Sequence, residues 1–356
     1  RPSRAPHVRT SNILDRIGQL FASGGRLHEQ YQLPDLSSFT ALVPGVLWQG
    51  WVYPRGSASA NVLRVYALDN GNAILERFWS NEVRALHRIT ARGHRYLPRL
   101  LGAANVRELG LGFLLIEDTG DPLEGEHPAL ARLRSDRGTA LRTFADLTDA
   151  VAVLHAEGMV HRSISPRVLL APTRAEGPLR LDGFQMSAFV AGLLRGGQPH
   201  IDRNAATFVP TNATSAVCLA PERLASLLGG SARGLESFAC DVFGLGMAAI
   251  DWFTGALDDG ACQAVVQAGR YDPSAHLALV QAAHARLRAA ALPAELRRLL
   301  EQMTAPAPAN RVPSALEVAS TLGRLLGGLL SQFAASSEGT PPTPHVTYFL
   351  RETIEH

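Results

Sequence analysis

The segment FACDVFGLGMAAIDWFT, residues 238–254, constrains the fold more than any other. It is apolar around nearly its whole circumference, so as a helix it has no face to offer water. Such a helix must be wrapped by other elements. With 356 residues, 46% of them hydrophobic, the chain has the length and apolar surface to wrap it. Further helices are expected over 139–158, closed by Gly158, and near 275–291, 294–303 and 313–333.

The front third reads differently. Residues 11–30 begin with a short amphipathic helix, capped by Ser11 or Asn12 and ended by Gly24-Gly25. Three strand-like runs follow, FTALVPG, VLWQGWVYP and NVLRVYAL, rich in β-branched and aromatic residues and broken by Pro44-Gly45 and Arg55-Gly56-Ser57. Residues 74–92 carry Phe78, Val83, Leu86 and Ile89 at helical spacing, and strands are expected in LLGAANVREL and GFLLIEDTG. A strand-loop-strand stretch, MVHRSISPRVLLAP and LRLDGF, precedes a loop of about forty residues, in which AFVAGLLRGG reads as a helix. A Pro-rich linker, ASSEGTPPTP, leads to the tail HVTYFLRETIEH, which would dock on the body or on a neighbouring domain.

Composition excludes several chemistries. All 34 basic residues are Arg, so Schiff-base catalysis and the lysine-bearing phosphate loop are ruled out. An Arg- and Ala-rich, lysine-free chain matches GC-rich coding and points to a bacterial source. A formal net charge of +2 argues against a nucleic-acid partner. No run of apolar residues reaches membrane-spanning length, so no membrane partner is expected. Cys218, Cys240 and Cys262, spaced 22 residues apart, fit no zinc or disulfide framework; they read as core residues of a reduced, cytoplasmic protein. His276 and His284 share a helix face without ligand company and read as surface or packing residues.

The motifs that remain fall in a telling order. His161-Arg162-Ser163-Ile164-Ser165-Pro166-Arg167-Val168 follows the 139–158 helix, Leu181-Asp182-Gly183-Phe184 comes next, then Ala220-Pro221-Glu222, Asp241 in the buried helix, and Arg311. Upstream, Arg64 lies on a strand and Glu82 on the following helix. Taken together, residues 36–328 resemble the serine/threonine protein kinase family. The resemblance implies an α+β, bilobal, protein-kinase-like fold. Its parts would be an N-terminal extension (1–35), a small β-rich lobe with one main helix (36–120), a larger helical lobe (121–330), and a linker and tail (331–356), with Thr119-Gly120 at the hinge.

The resemblance also implies roles, and here the chain departs from the family. Ser163 stands at the position of the catalytic Asp, Ser165 at that of the charge-offsetting Lys, and Val168 at that of the metal-binding Asn. A serine carries no charge to accept a proton as carboxylate does, and valine has no oxygen for a metal. Arg64 replaces the phosphate-anchoring Lys and is expected to bridge bidentately to Glu82. Asp182 keeps the metal-binding position, with Gly183 and Phe184 exchanged relative to the family; a plain polar turn is the competing reading. No glycine-rich phosphate loop is present, and Trp48 and Trp51 are expected to fill that space. Arg162, Asp241 and the Glu222–Arg311 pair retain structural roles. The resulting expectation is a pseudokinase without catalytic residues or metal, with no cofactor beyond weak ATP binding in a residual cleft at Arg64, Glu82 and Asp182. It would act on a protein partner or neighbouring domain. The alternatives are a kinase-fold enzyme with repurposed chemistry (nucleotidyl transfer or atypical phosphotransfer) and a metal-independent nucleotide sensor.

Overall fold

The computed structural model describes residues 12–68, 73–118, 120–172, 177–190, 208–229 and 237–336. The chain divides into two compact units, Arg1–Gly93 with Pro98–Thr119, and His94–Leu97 with Gly120–His356. The first is built on a β-sheet and the second on helices, which is the fold class the sequence implies.

The first unit opens with α1 (Ile13–Gln19), whose Asn12 side chain caps Leu14 N–H. Five strands follow: β1 (Thr40–Val43), β2 (Leu47–Val52), β3 (Asn61–Ala67), then, after α2 (Ala73–Thr90), β4 (Leu100–Val106) and β5 (Leu111–Glu117). They form one antiparallel sheet in the order β1-β2-β3-β5-β4. Side chains alternate across a strand. Val52, Leu63, Val65, Phe113 and Leu115 therefore share one face, where Ile17, Leu20, Phe21, Leu27, Tyr31 and Phe39 cover them. The opposite face carries Gln49, Arg64 and Tyr66.

The cover is close-fitting. At Gly50 on β2, an added Cβ would lie 2.6 Å from the Phe39 ring, so only glycine admits that ring against the strand. α1 ends earlier than Gly24-Gly25 predicts. The chain turns back on the helix end, with Leu27 N–H donating to the Leu20 carbonyl at 2.8 Å. Gly25 comes so near that a Cβ would sit 2.4 Å from the Gln19 carbonyl oxygen.

The second unit contains β6 (Asp121–Pro122), α3 (Pro128–Ser135), α4 (Arg137–Ala156), β7 (Met159–Val160), β8 (Leu169–Ala171), β9 (Arg180–Leu181) and β10 (Ala188–Phe189). α5 (Ala213–Ala216), α6 (Pro221–Leu224), α7 (Phe238–Thr254) and α8 (Asp259–Val265) come next. A β11–β12 hairpin (Val266–Gln267, Arg270–Tyr271) then leads to α9 (Pro273–Ala289), α10 (Ala294–Met303) and α11 (Ala315–Ser336). α7 spans the segment read from its apolar circumference, and every residue from Ala239 to Phe253 is buried. Its glycines set its neighbours' distance. A Cβ on Gly244 would lie 2.5 Å from the Ile164 carbonyl, and one on Gly246 would lie 2.7 Å from Thr304. The helix thereby presses directly on the loop that carries residues 161–168. His276 is a fully buried packing residue: its ring meets the Tyr271 hydroxyl and the Val217 carbonyl, each at 3.1 Å. The helix expected in AFVAGLLRGG and the linker and tail beyond Ser336 fall largely outside the described residues; Ala188–Phe189 pairs with β7 as β10.

Candidate functional site

In the first unit, Arg64 does not reach solvent; it is 4% exposed and Glu82 is fully buried. Register makes the contact. Gln49 on β2 lies opposite Arg64 on β3, so both project from the sheet face that Glu82 of α2 approaches. Arg64 Nη1 donates to Glu82 Oε1, and its Nε and Nη2 donate to Gln49 Oε1 at 3.2 and 2.9 Å. The Tyr66 hydroxyl donates to the other carboxylate oxygen, Oε2. Arg64 and Glu82 are bridged through Nη1 and Oε1, within a four-residue network that Gln49 and Tyr66 complete. Tyr66 was not singled out from sequence, though its place two residues after Arg64 on a strand puts it on the same face.

Trp48 and Trp51 do not fill one space together. They are three residues apart on β2, so they face opposite sides of the sheet. Trp48 packs against the cluster that includes Phe39 and Val65, while Trp51 is 37% exposed.

In the second unit, Asp241 in the first turn of α7 organises the 161–168 segment. Its Oδ2 accepts from His161 N–H at 2.6 Å and its Oδ1 from Arg162 N–H at 2.7 Å. Those bonds hold Arg162 at φ +71°, a left-handed torsion that a non-glycine residue adopts only under constraint. His155 of α4 completes the anchor. Ala315 N–H, at the start of α11, donates to His155 Nδ1, so Nε2 bears the hydrogen and donates to Asp241 at 3.1 Å. One buried carboxylate thus ties together two helices and a loop.

The tautomer of His161 follows from its partner. Nε2 lies 2.8 Å from the Asp182 carbonyl, which can only accept, so Nδ1 carries the lone pair. Burial, the largest influence, holds this imidazole below its ordinary pKa and so neutral. Ser163 shares its single proton between His161 Nδ1 at 3.1 Å and the Gly183 carbonyl at 3.2 Å. Ser165 is fully buried, and its hydroxyl has no hydrogen-bond partner among the described residues. Val168 is buried against Gly183, its Cγ1 2.4 Å from where a Cβ would be.

The exchanged letters after Asp182 are accommodated in a buried turn. Gly183 itself takes the left-handed torsion, at φ +82°. Phe184 is fully buried and packs edge-on against His161 at 4.8 Å. Asp182, 3% exposed, accepts its own neighbour's amide, Gly183 N–H, at 2.7 Å. Asp182 N–H donates to the Val168 carbonyl at 2.8 Å, and the Val168 side chain beside it presents methyls and no oxygen. Among the described residues, no group of three or more His, Cys, Asp or Glu side chains is placed to hold a metal ion.

Glu222 and Arg311 form a buried bidentate pair, Nη1–Oε1 at 2.6 Å and Nη2–Oε2 at 2.9 Å. Arg311 also donates to the carbonyls of Ala305, Pro306 and Ala239, and the Cys240 thiol donates to Glu222. Nearby, Ser215 of α5 accepts from Arg167 N–H at 3.1 Å and donates to Glu124 at 2.5 Å, a link that nothing in the local sequence pattern signals. Thr119 lies outside the described residues. Gly120, at φ +97°, comes so close to Ala171 that a Cβ would lie 2.0 Å from its carbonyl oxygen.

No family model matches the chain. Three curated proteins of Oryza sativa subsp. japonica are similar over part of it. Putative CBL-interacting protein kinase 13 is 37% identical over 113 residues, 32% of this chain and 20% of that protein. CBL-interacting protein kinase 22 is 38% identical over 114 residues, covering 30% and 23%. CBL-interacting protein kinase 4 is 33% identical over 82 residues, covering 23% and 18%. The match therefore spans about a fifth of the length of these relatives. The chain carries a region similar to protein kinases, within a β-sheet unit followed by a helical one. No helix among the described residues is long and apolar enough to cross a membrane.

Proposed function

We propose that this chain is a pseudokinase domain: a kinase-like body that binds and regulates a protein partner or a neighbouring domain without transferring phosphate. The observation that carries the reading is Val168 packed on Gly183, where a phosphotransferase of this family would place a metal-binding oxygen. Supporting it, Ser163 stands where a carboxylate base would, and the Arg64 guanidinium is engaged by Glu82 and Gln49 within its own unit. Each lost transition-state contact costs about 3–4 kcal/mol, and groups that act together fail together.

Incubation with ATP labelled at the α- or γ-phosphate, with Mg²⁺, tests this directly. The expected result is no incorporation above background. Stoichiometric α-label abolished by Asp182→Ala would replace the reading with nucleotidyl transfer, and γ-label would replace it with atypical phosphotransfer. A thermal-shift titration with ATP should leave Tm unmoved; a saturable, Mg²⁺-independent rise would instead favour a nucleotide sensor.

A further inference from the structure

The His161–Ser163 pair has an arrangement the kinase-like reading does not use. The tautomer is set by the Asp182 carbonyl, which takes the Nε2 hydrogen at 2.8 Å and leaves the Nδ1 lone pair 3.1 Å from the Ser163 hydroxyl, whose proton the Gly183 carbonyl at 3.2 Å also accepts. His161 is fully buried, braced edge-on by Phe184 and held from its backbone by Asp241, so the ring is fixed before any substrate arrives. Ser163 is only partly buried and is the member of the pair open to solvent. A nucleophile, a base within hydrogen-bond reach, and a third group orienting the base are the elements of an activated serine.

We propose that Ser163 is a nucleophile toward neutral activated esters, with His161 as its general base. Ser163 Oγ attacks the ester carbonyl carbon while its proton passes to His161 Nδ1. The bond from that carbon to the leaving oxygen then breaks, the proton moves to the departing alkoxide, and an acyl-Ser163 remains. The surroundings select the electrophile. The Asp241 and Asp182 carboxylates oppose only in part the burial that keeps His161 neutral, and their negative charge disfavours an anionic phosphoryl group. The Arg162 guanidinium is directed at the Met186 carbonyl, 3.4 Å away. This reactivity does not depend on nucleotide.

The full chain, treated with p-nitrophenyl acetate and followed by intact mass and peptide mapping, should gain one acetyl group on Ser163. The rate should exceed that of Ser163→Ala by at least about a hundredfold. Equal rates in the two proteins, or an adduct that maps elsewhere, overturn the proposal. Because a His161 variant risks unfolding, Ser163→Cys supplies a second reading. The pH dependence of iodoacetamide alkylation at residue 163 should give a thiol pKa below the ordinary value of about 8.5; an ordinary or higher pKa overturns the assignment of His161 as base.

Discussion

Two buried Arg–Glu pairs, one in each unit, are built on different principles. Arg311 is tied to Glu222 bidentately and to three backbone carbonyls, so its guanidinium serves as a structural clamp on the chain itself. Arg64 is tied to Glu82 and Gln49, and Tyr66 takes the other Glu82 oxygen, a network made between side chains. A pair anchored to backbone holds a fold. A pair anchored to side chains holds the position of one helix against one sheet, and its members can be exchanged more cheaply.

The largest test of that contrast is Arg311→Ala. It strands Glu222 in the interior and removes the donor from three carbonyls, and should cost about 3–5 kcal/mol in chemical denaturation. A loss near that of an exposed pair would erase the distinction. The pH axis extends it. His276 is fully buried and its pKa is pushed down to about 4, chiefly by burial, from an ordinary 6.5. The unfolded chain therefore binds the proton first. The stabilisation is complete above pH 6.5 and declines as pH falls toward 4, by about 3 kcal/mol for this group. Burial acts on His161 in the same direction. His276→Phe should flatten the pH dependence of the denaturation midpoint in that window.

Smaller effects sharpen the comparison. Tyr66→Phe leaves the Glu82–Arg64 contact and removes one bond to a buried carboxylate. It should cost about 1.5–3 kcal/mol, with faster hydrogen exchange in α2 and little change in α7. Ser165→Ala deletes a buried hydroxyl without a partner among the described residues, and should be neutral or stabilising by up to about 1 kcal/mol. Ser163→Ala should leave the denaturation midpoint within about 0.5 kcal/mol, since its hydroxyl lies at a partly exposed position.

Periodicity made the helices legible. α7 and α10 begin and end where the apolar pattern places them, because each buries enough surface to dictate its own limits. The Arg64–Glu82 and Glu222–Arg311 pairings were legible only through the family resemblance, since their partners lie 18 and 89 residues apart. His155 joining Asp241 to the start of α11 was not legible, because a 160-residue separation leaves no trace in local pattern. Set against the family pattern, the exchanged letters at Gly183-Phe184 leave the packing of this segment undecided; in the structure Gly183 takes the left-handed torsion and the Phe184 ring packs against His161.

The layer formed by residues 13–39 has a practical meaning. Leu63, Val65, Phe113 and Leu115 lie beneath it. A polypeptide shortened to begin at β1 would bare that surface to water, so self-association rather than a soluble sheet is its expected fate.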